Sequence, residues 1–252
     1  MAITNNVALQ FNGVDERLEQ DAASAFGIAN LWTISLWLKP IADVPEEASA
    51  DHHALLHVRG NNPRSEILIW GAKIEGYQEE EIYVELNSEL GQQLRITRFN
   101  LVQKRNEWRH FSCVWDGTNL IAYDQGLLVQ DYSTIVSGNG LQTEPTGGRS
   151  IRVGDHFRTG PSLAAWSGTL GHIGIWDTAL GPAEFGPIIS GGFGFDLSTT
   201  SGAYTSSAKL VHYWKPGDDF PFVGQDLVGT LDIASGTNAT ATGVNNVVMD
   251  QP

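Results

Sequence analysis

The stretch that decides the fold is Trp108-Arg-His-Phe-Ser-Cys-Val-Trp-Asp-Gly-Thr-Asn-Leu-Ile-Ala-Tyr-Asp-Gln-Gly-Leu-Leu-Val129, in the middle of the chain. Successive side chains of a strand point to opposite faces of a sheet, so the pattern splits into two sets. One face is apolar apart from its first residue and holds Arg109, Phe111, Cys113 and Trp115; the other is mixed and holds Trp108, His110, Ser112 and Val114. The segment Asp116-Gly-Thr-Asn119 suits a short hairpin connection. The stretch therefore predicts two paired strands, the second over residues 120–123.

The same kind of pattern recurs along the chain. Short runs with strand character lie at residues 7–19, 31–40, 53–58, 67–70, 81–86, 94–99, 150–154, 165–176, 210–214 and 227–233. Eight Trp, ten Phe and 28 Gly, beside only two Met, also favour strands and turns over helices. About a dozen short strands separated by turns are typical of an all-β sandwich or barrel. Five tryptophans fall inside or beside these runs and are predicted to pack in the core: Trp32, Trp37, Trp108, Trp115 and Trp176. Residues 177–185 differ, because Pro182 suits the first turn of a short helix.

Charge and targeting signals limit the partners and the location. The net charge is -14 and the 15 basic residues are scattered, which argues against a nucleic-acid partner. We also expect no membrane insertion, since the sequence has no apolar run of about 18 residues. The first residues lack the basic start and apolar run of a secretory signal, so we expect synthesis in the cytoplasm without export by the general secretory route. A component of a virus particle released by lysis meets that constraint, and an extracellular location is the alternative.

Cys113 is the only cysteine of the chain. An internal disulfide is therefore impossible, and the apolar neighbours of Cys113 predict a buried, unreactive thiol.

Five segments follow one another in a characteristic order. They are Ala8-Leu-Gln-Phe-Asn-Gly-Val-Asp15, Trp32-Thr-Ile-Ser-Leu-Trp-Leu-Lys-Pro40, Trp108-Arg-His-Phe-Ser-Cys-Val-Trp-Asp-Gly117, Tyr123-Asp-Gln-Gly-Leu-Leu-Val129 and Trp166-Ser-Gly-Thr-Leu-Gly-His-Ile-Gly-Ile-Trp-Asp-Thr-Ala-Leu180. In this order they resemble the concanavalin A-like superfamily, specifically its laminin G and pentraxin-like branch. The resemblance implies a jelly-roll sandwich of two antiparallel sheets, one convex and one concave. We predict a single jelly-roll domain over residues 1–252, with a main body at 7–185 and an extension at 186–252 that packs on the same sandwich.

Hydrolysis is the first alternative to binding, because some relatives of the resembled fold cleave polysaccharides with carboxylates at alternate positions of one strand. In Glu79-Glu-Glu-Ile-Tyr-Val-Glu85, the side chains of Glu79, Glu81, Tyr83 and Glu85 would share a face. Such spacing can approach the separation of about 5–5.5 Å between carboxyl groups that a retaining glycosidase needs. The family's hydrolase motif, however, has an Asp between two Glu with aromatic residues around it. We therefore predict a solvated acidic strand edge, no enzymatic activity and no catalytic residue.

Metal binding is the second alternative. Two adjacent histidines on an extended segment, His52 and His53, point to opposite sides, so we expect both to be exposed and not joint ligands. The resemblance implies that calcium is possible at one rim, where Asp116 with Asn119, or Asp155, would supply oxygen ligands. Asp116 and Asn119 are more simply explained as turn residues. No other cofactor is predicted.

Glycan binding requires a flat aromatic side chain together with fixed polar groups. The candidate ligand-binding residues, in or near predicted loops, are Trp70, Tyr77, Asp155, His156 and Arg158. The competing interpretation is that Trp70 packs in the core or at an edge and that residues 154–160 only connect two strands.

Two binding functions remain, with glycoside hydrolysis third. In the first, the chain is a structural or adhesive virion protein, such as a phage head decoration or tail appendage, which docks on neighbouring capsid proteins. In the second, it is a lectin-like module that grips a carbohydrate. The missing secretory signal and the unpaired cysteine favour the virion hypothesis, and assembly into a homo-oligomer stays open.

Overall fold

The computed structural model describes residues 8–13, 16–23, 28, 31–40, 52–60, 66–73, 80–87, 93–99, 106–129, 149–157, 164–216, 224–233, 239–242 and 246–248. Two sheets packed face to face account for most of these residues. Among the described strands, all pairs are antiparallel except one short parallel pair between Ala164–Ala165 and His52–Gly60. The predicted all-β, two-sheet jelly-roll sandwich is confirmed.

Sheet A lies on the side of the molecule that carries a helix. It contains β1 (Ala8–Asn12), β3 (Trp32–Pro40), β8 (Arg109–Trp115), β9 (Leu120–Asp124), β10 (Leu127–Leu128), β13 (Ser167–Trp176), β14 (Leu210–Trp214) and β16 (Asn246–Val248). The strand order is β10-β9-β8-β3-β13-β1-β16, and β14 also pairs with β13.

Sheet B forms the opposite layer. It contains β2 (Arg17–Ala23), β4 (His52–Gly60), β5 (Glu66–Lys73), β6 (Glu80–Asn87), β7 (Gln93–Phe99), β11 (Arg149–Val153), β12 (Ala164–Ala165) and β15 (Ala239–Thr242). The strand order is β15-β2-β11-β4-β5-β6-β7, with β12 beside β4.

The central hairpin forms as predicted, with Cys113 of β8 opposite Ala122 of β9. The Asp116 carboxylate closes its turn by accepting hydrogen bonds from the amides of Thr118 at 2.8 Å and Asn119 at 2.6 Å. The prediction that Asp116 and Asn119 are turn residues is therefore confirmed.

The two faces of β8 pack in two different places. Phe111, Cys113 and Trp115 point between the sheets and join the main core. Burial raises the pKa of the Cys113 thiol, so it stays protonated, as expected for a buried cysteine. The other tryptophans predicted to be buried are so, except Trp108, which is half-buried and precedes β8.

The second face of sheet A is covered by residues 180–204, which we name the cap. The cap contains helix α1 (Pro182–Gly191), followed by a 3-10 turn at Gly192–Gly194. Its buried side chains pack against Val114, Tyr123, Trp176 and Tyr213 of the sheet; they are Leu180, Phe185, Ile188, Leu197 and Tyr204. Each fully buried side chain of this size contributes about 1.5–3 kcal/mol, so the apolar contact holds the cap in place. Within the described residues, no helix has the length and apolar character needed to cross a lipid bilayer.

The strands beyond residue 185 join both layers. β14 and β16 belong to sheet A, and β15 belongs to sheet B. The single-domain interpretation, with its division near residue 185, stays a prediction.

Candidate functional site

The outer face of sheet B is the place to look for a ligand, because the cap fills the outer face of sheet A. The strand period identifies which residues point outward from sheet B. Ile69 and Val84 point into the main core, so their neighbours Trp70 on β5 and Tyr83 on β6 point away from it.

Trp70 and Tyr83 form a stacked aromatic pair on this outer face. They lie directly opposite each other in the register of β5 and β6. Their ring centroids are 4.2 Å apart and the planes differ by 9°, so the two rings stack face to face and each covers part of one face of the other. Both side chains are half-buried. A partly exposed flat aromatic surface offers apolar area to a ligand and keeps polar edges nearby for hydrogen bonds.

Buried carboxylates lie on the same face. Glu85 follows Tyr83 on the same side of β6 and is only 3 % exposed. Glu66 of β5 is also buried, and its Oε2 lies 2.7 Å from Nε2 of His57 on β4. Nδ1 of His57 accepts a hydrogen bond from the Phe157 amide at 3.0 Å. Because Nδ1 accepts, His57 is neutral with its proton on Nε2, and it donates that proton to the Glu66 carboxylate.

An arginine network orders the neighbouring strands β2 and β11. Arg152 donates from Nη2 to Glu19 at 3.0 Å, and Arg17 donates from Nε to the other oxygen of Glu19 at 2.7 Å. Both guanidinium groups also approach the Asp155 carboxylate, at 3.6 Å from Arg152 and 3.7 Å from Arg17. Burial alone would raise the pKa of Glu19, but the hydrogen bonds from Arg152 and Arg17 outweigh it and hold the pKa below its usual value.

The loop at residues 154–157 is fixed by the same network. Arg152 donates from Nη1 to the His156 carbonyl, and its guanidinium carbon lies 4.2 Å from the centroid of the Phe157 ring. The Gly154 amide donates to the Leu55 carbonyl at 2.8 Å. The loop therefore presents a rigid edge beside the outer face of sheet B.

The five predicted ligand-binding residues fall in different places. Trp70 lies within β5, which continues to Lys73, while Asp155 and His156 lie in the fixed loop after β11. Asp155 is on the same sheet face as Trp70, but β4 lies between β11 and β5, which separates the two residues by about 10 Å. Tyr77 and Arg158 lie outside the described residues. The role of all five in binding stays a prediction.

Tyr83 is the residue of this site that sequence reasoning missed. It lies in the acidic stretch at residues 79–85, where the carboxylates suggest catalysis and a single tyrosine gives no signal for binding. The alternation of that stretch places Tyr83 on the outer face, but its stacking on Trp70 depends on the register of β5 and β6.

Two sequence-based expectations are wrong. β6 pairs with β5 on one side and β7 on the other, so the acidic stretch is not a strand edge, and Glu85 is buried instead of solvated. His53 is 2 % exposed, not a surface residue, because β12 lies alongside β4 and the Ala165 carbonyl lies 3.1 Å from Nδ1 of His53. The side chain of His52 and all of Glu79 lie outside the described residues.

The candidate calcium ligands are not brought together. The oxygens of Asp116 are turned to the amides of its own hairpin at the end of sheet A, whereas Asp155 lies between arginines on sheet B. Within the ranges that the structure describes, no three His, Cys, Asp or Glu side chains cluster as metal ligands would. Calcium binding stays a prediction.

Comparison with known proteins gives the chain a family. Residues 13–185 match the family described as the concanavalin A-like lectin/glucanases superfamily. No curated protein sequence matches the chain. The heptameric SAP-like pentraxin from Limulus polyphemus is 14 % identical with a TM-score of 0.51, and the match covers 75 % of this chain and 84 % of the pentraxin chain.

Two further solved structures share the fold. Domains LG4-5 of the mouse laminin α1 chain are 12 % identical with a TM-score of 0.50, covering 70 % of this chain and 43 % of theirs. The CBM40 of a Ruminococcus gnavus IT-sialidase, bound to α2,3-sialyllactose, is 12 % identical with a TM-score of 0.51, covering 72 % of this chain and 96 % of its own. The chain thus has a fold used by lectins and carbohydrate-binding modules, and the laminin G and pentraxin-like resemblance is confirmed. With a family match over residues 13–185, the chain belongs to the concanavalin A-like lectin/glucanases superfamily.

Proposed function

We propose that this protein binds a glycan on the outer face of sheet B and does not cleave it. The observation that carries the proposal is the stacked, half-buried pair of Trp70 and Tyr83, with the Glu85 carboxylate on the same face. The exposed part of this aromatic stack would pack against the apolar face of a sugar ring, and buried polar groups beside it would fix the orientation of the hydroxyls. The sialyllactose-bound CBM40 supports the proposal at the level of fold.

Binding without hydrolysis fits the state of the carboxylates. A glycosidase needs two carboxyl groups on either side of the scissile bond, one of them able to give a proton. Glu66 instead accepts a hydrogen bond from His57, and Glu19 and Asp155 are held by Arg17 and Arg152. These three groups are held as hydrogen-bond or ion-pair partners of neighbouring side chains and are therefore poorly placed for proton transfer.

The charge on this face favours an uncharged glycan. Its described side chains carry three arginines and four carboxylates: Arg17, Arg59, Arg152, Glu19, Glu66, Glu85 and Asp155. The guanidinium groups nearest to Asp155 are already paired, and the whole chain carries a net charge of -14. An acidic sugar would therefore meet net repulsion, since the four carboxylates outnumber the three arginines and two of those arginines are already paired.

The test compares glycan binding by the wild type and by Trp70→Ala and Tyr83→Ala on a printed array, followed by calorimetry with the best binder. We expect each variant to bind about thirtyfold more weakly, because truncating a central aromatic anchor costs about 2 kcal/mol or more. Leu127→Ala is the matched control, since Leu127 is exposed on β10 of the opposite sheet. Thermal unfolding followed by circular dichroism checks that the variants are folded. A wild type that binds nothing, or variants that bind as tightly as the wild type, would refute the proposal.

The virion hypothesis stays a prediction of the sequence, as does the location that goes with it. Among the described residues, the large apolar side chains most exposed to a protein partner are Leu127 and Leu128 on β10. Two exposed leucines are a small surface compared with the area that a stable protein interface buries. We therefore rank this function below glycan binding.

A further inference from the structure

Two histidines are buried where the cap meets sheet A. His110 of β8 is 1 % exposed and His172 of β13 is 3 % exposed. They belong to strands on either side of β3, whose Trp37 lies opposite His110 in the register. Neither histidine takes part in the candidate glycan site, which lies on the other sheet. Their burial therefore needs a separate explanation.

The space around the two imidazoles is dry. They line a narrow cavity together with Ser35, Trp37, Ile188 and Phe195, and the cavity leaves no room for a water molecule. His172 stacks on Phe193 of the cap with ring centroids 4.8 Å apart, and Trp37 meets His110 edge-on at 5.2 Å. Among the described residues, Nε2 of His110 and Nε2 of His172 have no hydrogen-bond partner. A second proton on either ring would have neither an acceptor nor water to hydrate it.

Few charged groups face the two rings. Nδ1 of His110 lies 3.4 Å from Ser112 Oγ, and Nδ1 of His172 lies 3.2 Å from the Tyr213 hydroxyl of β14. Tyr213 in turn donates to the Phe195 carbonyl at 3.3 Å, so Nδ1 of His172 is the donor toward the hydroxyl. The charges that act on His172 are Lys215 and, with opposite sign, Asp196. No charged group acts on His110 among the described residues.

Burial lowers the pKa of His110 to about 3. Burial is the main cause that lowers the pKa of His172 to about 3, and repulsion from Lys215 adds to it. The Asp196 carboxylate raises the pKa but offsets only part of this decrease. A histidine in water has a pKa of about 6.5. The neutral form of both rings is therefore required while the cap covers them.

We propose that acid opens the cap: protonation of His110 and His172 releases residues 180–204 from sheet A while the two-sheet sandwich stays folded. The cap supplies the side chains that keep both rings dry, among them Phe185 beside His110 and Phe193 beside His172. Once the cap leaves, both rings reach water and take up protons. Release exposes an aromatic sheet face that includes Trp37 and Tyr123.

The size of the effect follows from proton linkage. The closed state binds fewer protons than the open state between the pKa of about 3 and the pKa of about 6.5. Well inside that interval each ring shifts the equilibrium toward opening by up to about tenfold per pH unit, and the two rings together by up to about a hundredfold. Above about pH 6.5 the closed state keeps its full stability.

The useful test range is about pH 6 to pH 5, above the pKa values of ordinary carboxyl groups. Glu184 and Asp196 of the cap have pKa values below their usual range: burial opposes this, but the hydrogen bonds that each carboxylate accepts outweigh it. They therefore stay ionised across the test range, and a response there reports the histidines.

Hydrogen exchange read by mass spectrometry, corrected for the chemical exchange rate at each pH, measures cap opening directly. Between about pH 6 and pH 5 we expect the opening constant of residues 180–204 to rise about sixtyfold in the wild type. His110→Phe and His172→Phe should each reduce the rise to about eightfold, and the double variant should abolish it. Amides of β1 and β13 should keep their protection throughout.

His53→Asn is the matched control, because His53 is buried outside the cap. It should leave the wild-type response intact. If a Phe variant does not fold, Leu replaces it, and the imidazole proton resonances of the wild type give a second readout. Unchanged cap exchange between the two pH values, or a full response in the double variant, would overturn the proposal.

Discussion

Gly171 is a single residue whose lack of a side chain leaves space for the cap. Gly171 lies in β13 beneath the cap, and a Cβ atom there would overlap the Phe193 ring. That ring has little freedom to move, because it stacks on His172 and meets Trp108 at 5.0 Å between ring centroids. The absence of a side chain at Gly171 is therefore a condition for docking of the cap.

Gly171→Ala should destabilise the protein by about 1–3 kcal/mol, the usual cost of one methyl group too many in a packed interior. Gly186→Ala in helix α1 is the matched control, because its Cβ would meet nothing within 4 Å. There the change should be neutral or stabilising by up to about 1 kcal/mol, since alanine favours a helix. Urea unfolding of both variants measures the difference, and equal midpoints would contradict this account.

Residue chemistry also limits what the sequence can reveal about the site. The aromatic and polar character of Trp70 and Asp155 marked them as candidates, and the structure places both on one sheet face. The sequence does not identify Tyr83 as a binding residue, because its stacking depends on which residue of β5 lies opposite it. The cross-strand register arises from pairing between distant segments, which one sequence does not display.

At the scale of elements, the period of two predicted β8 and β9 because it is a local property of the chain. The order of strands in a sheet depends on pairing between distant segments, which the sequence does not display. The sequence therefore predicts an edge strand at β6, whereas β6 lies between β5 and β7. Helix α1 runs to Gly191, beyond the predicted end at residue 185. Gly186 and Pro187 disfavour a helix there, but burial of Phe185 and Ile188 under tertiary contacts outweighs their propensity.

The carboxylate of Asp226 holds the segment at residues 226–231 against strand β14. Asp226 accepts hydrogen bonds from the amides of Tyr213 at 3.0 Å, Gly229 at 2.9 Å and Leu231 at 3.0 Å. Nδ1 of His212 lies 2.6 Å from Oδ2 of Asp226. Burial would raise the pKa of Asp226, but the hydrogen bond from His212 and those from the amides outweigh it and lower the pKa.

Asp226→Asn should therefore lower the stability of the protein by about 1–3 kcal/mol at neutral pH. Because the pKa of Asp226 is lower in the folded state than in the unfolded state, its stabilisation is complete above the unfolded pKa. It is lost as pH falls through the folded pKa, so the gap between wild type and variant should shrink in acid. Urea unfolding at neutral and acid pH measures the gap, and a gap independent of pH would exclude an ionised Asp226 as its source.

At the scale of the whole molecule, the two sheets have different tasks. Sheet A binds the chain's own cap on its outer face, and sheet B leaves a stacked aromatic pair half-buried on its outer face. The negative field of the chain, with a net charge of -14, acts on any ligand that approaches either face. The sequence is sufficient to predict the fold class. It does not show which outer face stays partly exposed, because that depends on where residues 180–204 dock.

If glycan binding holds, uncharged glycans should bind more tightly than otherwise identical glycans that end in an acidic sugar. Arg17 and Arg152 are already paired with Asp155, and the Glu85 carboxylate lies beside the aromatic pair. Because the repulsion is electrostatic, raising the salt concentration should narrow the difference by weakening repulsion of the acidic glycan, while binding of the neutral glycan should change little. Calorimetry with one neutral and acidic pair at low and high salt measures both effects. Tighter binding of the acidic glycan would contradict the preference for uncharged glycans but would still support glycan binding. If neither glycan binds, both the preference and the proposed glycan binding are refuted.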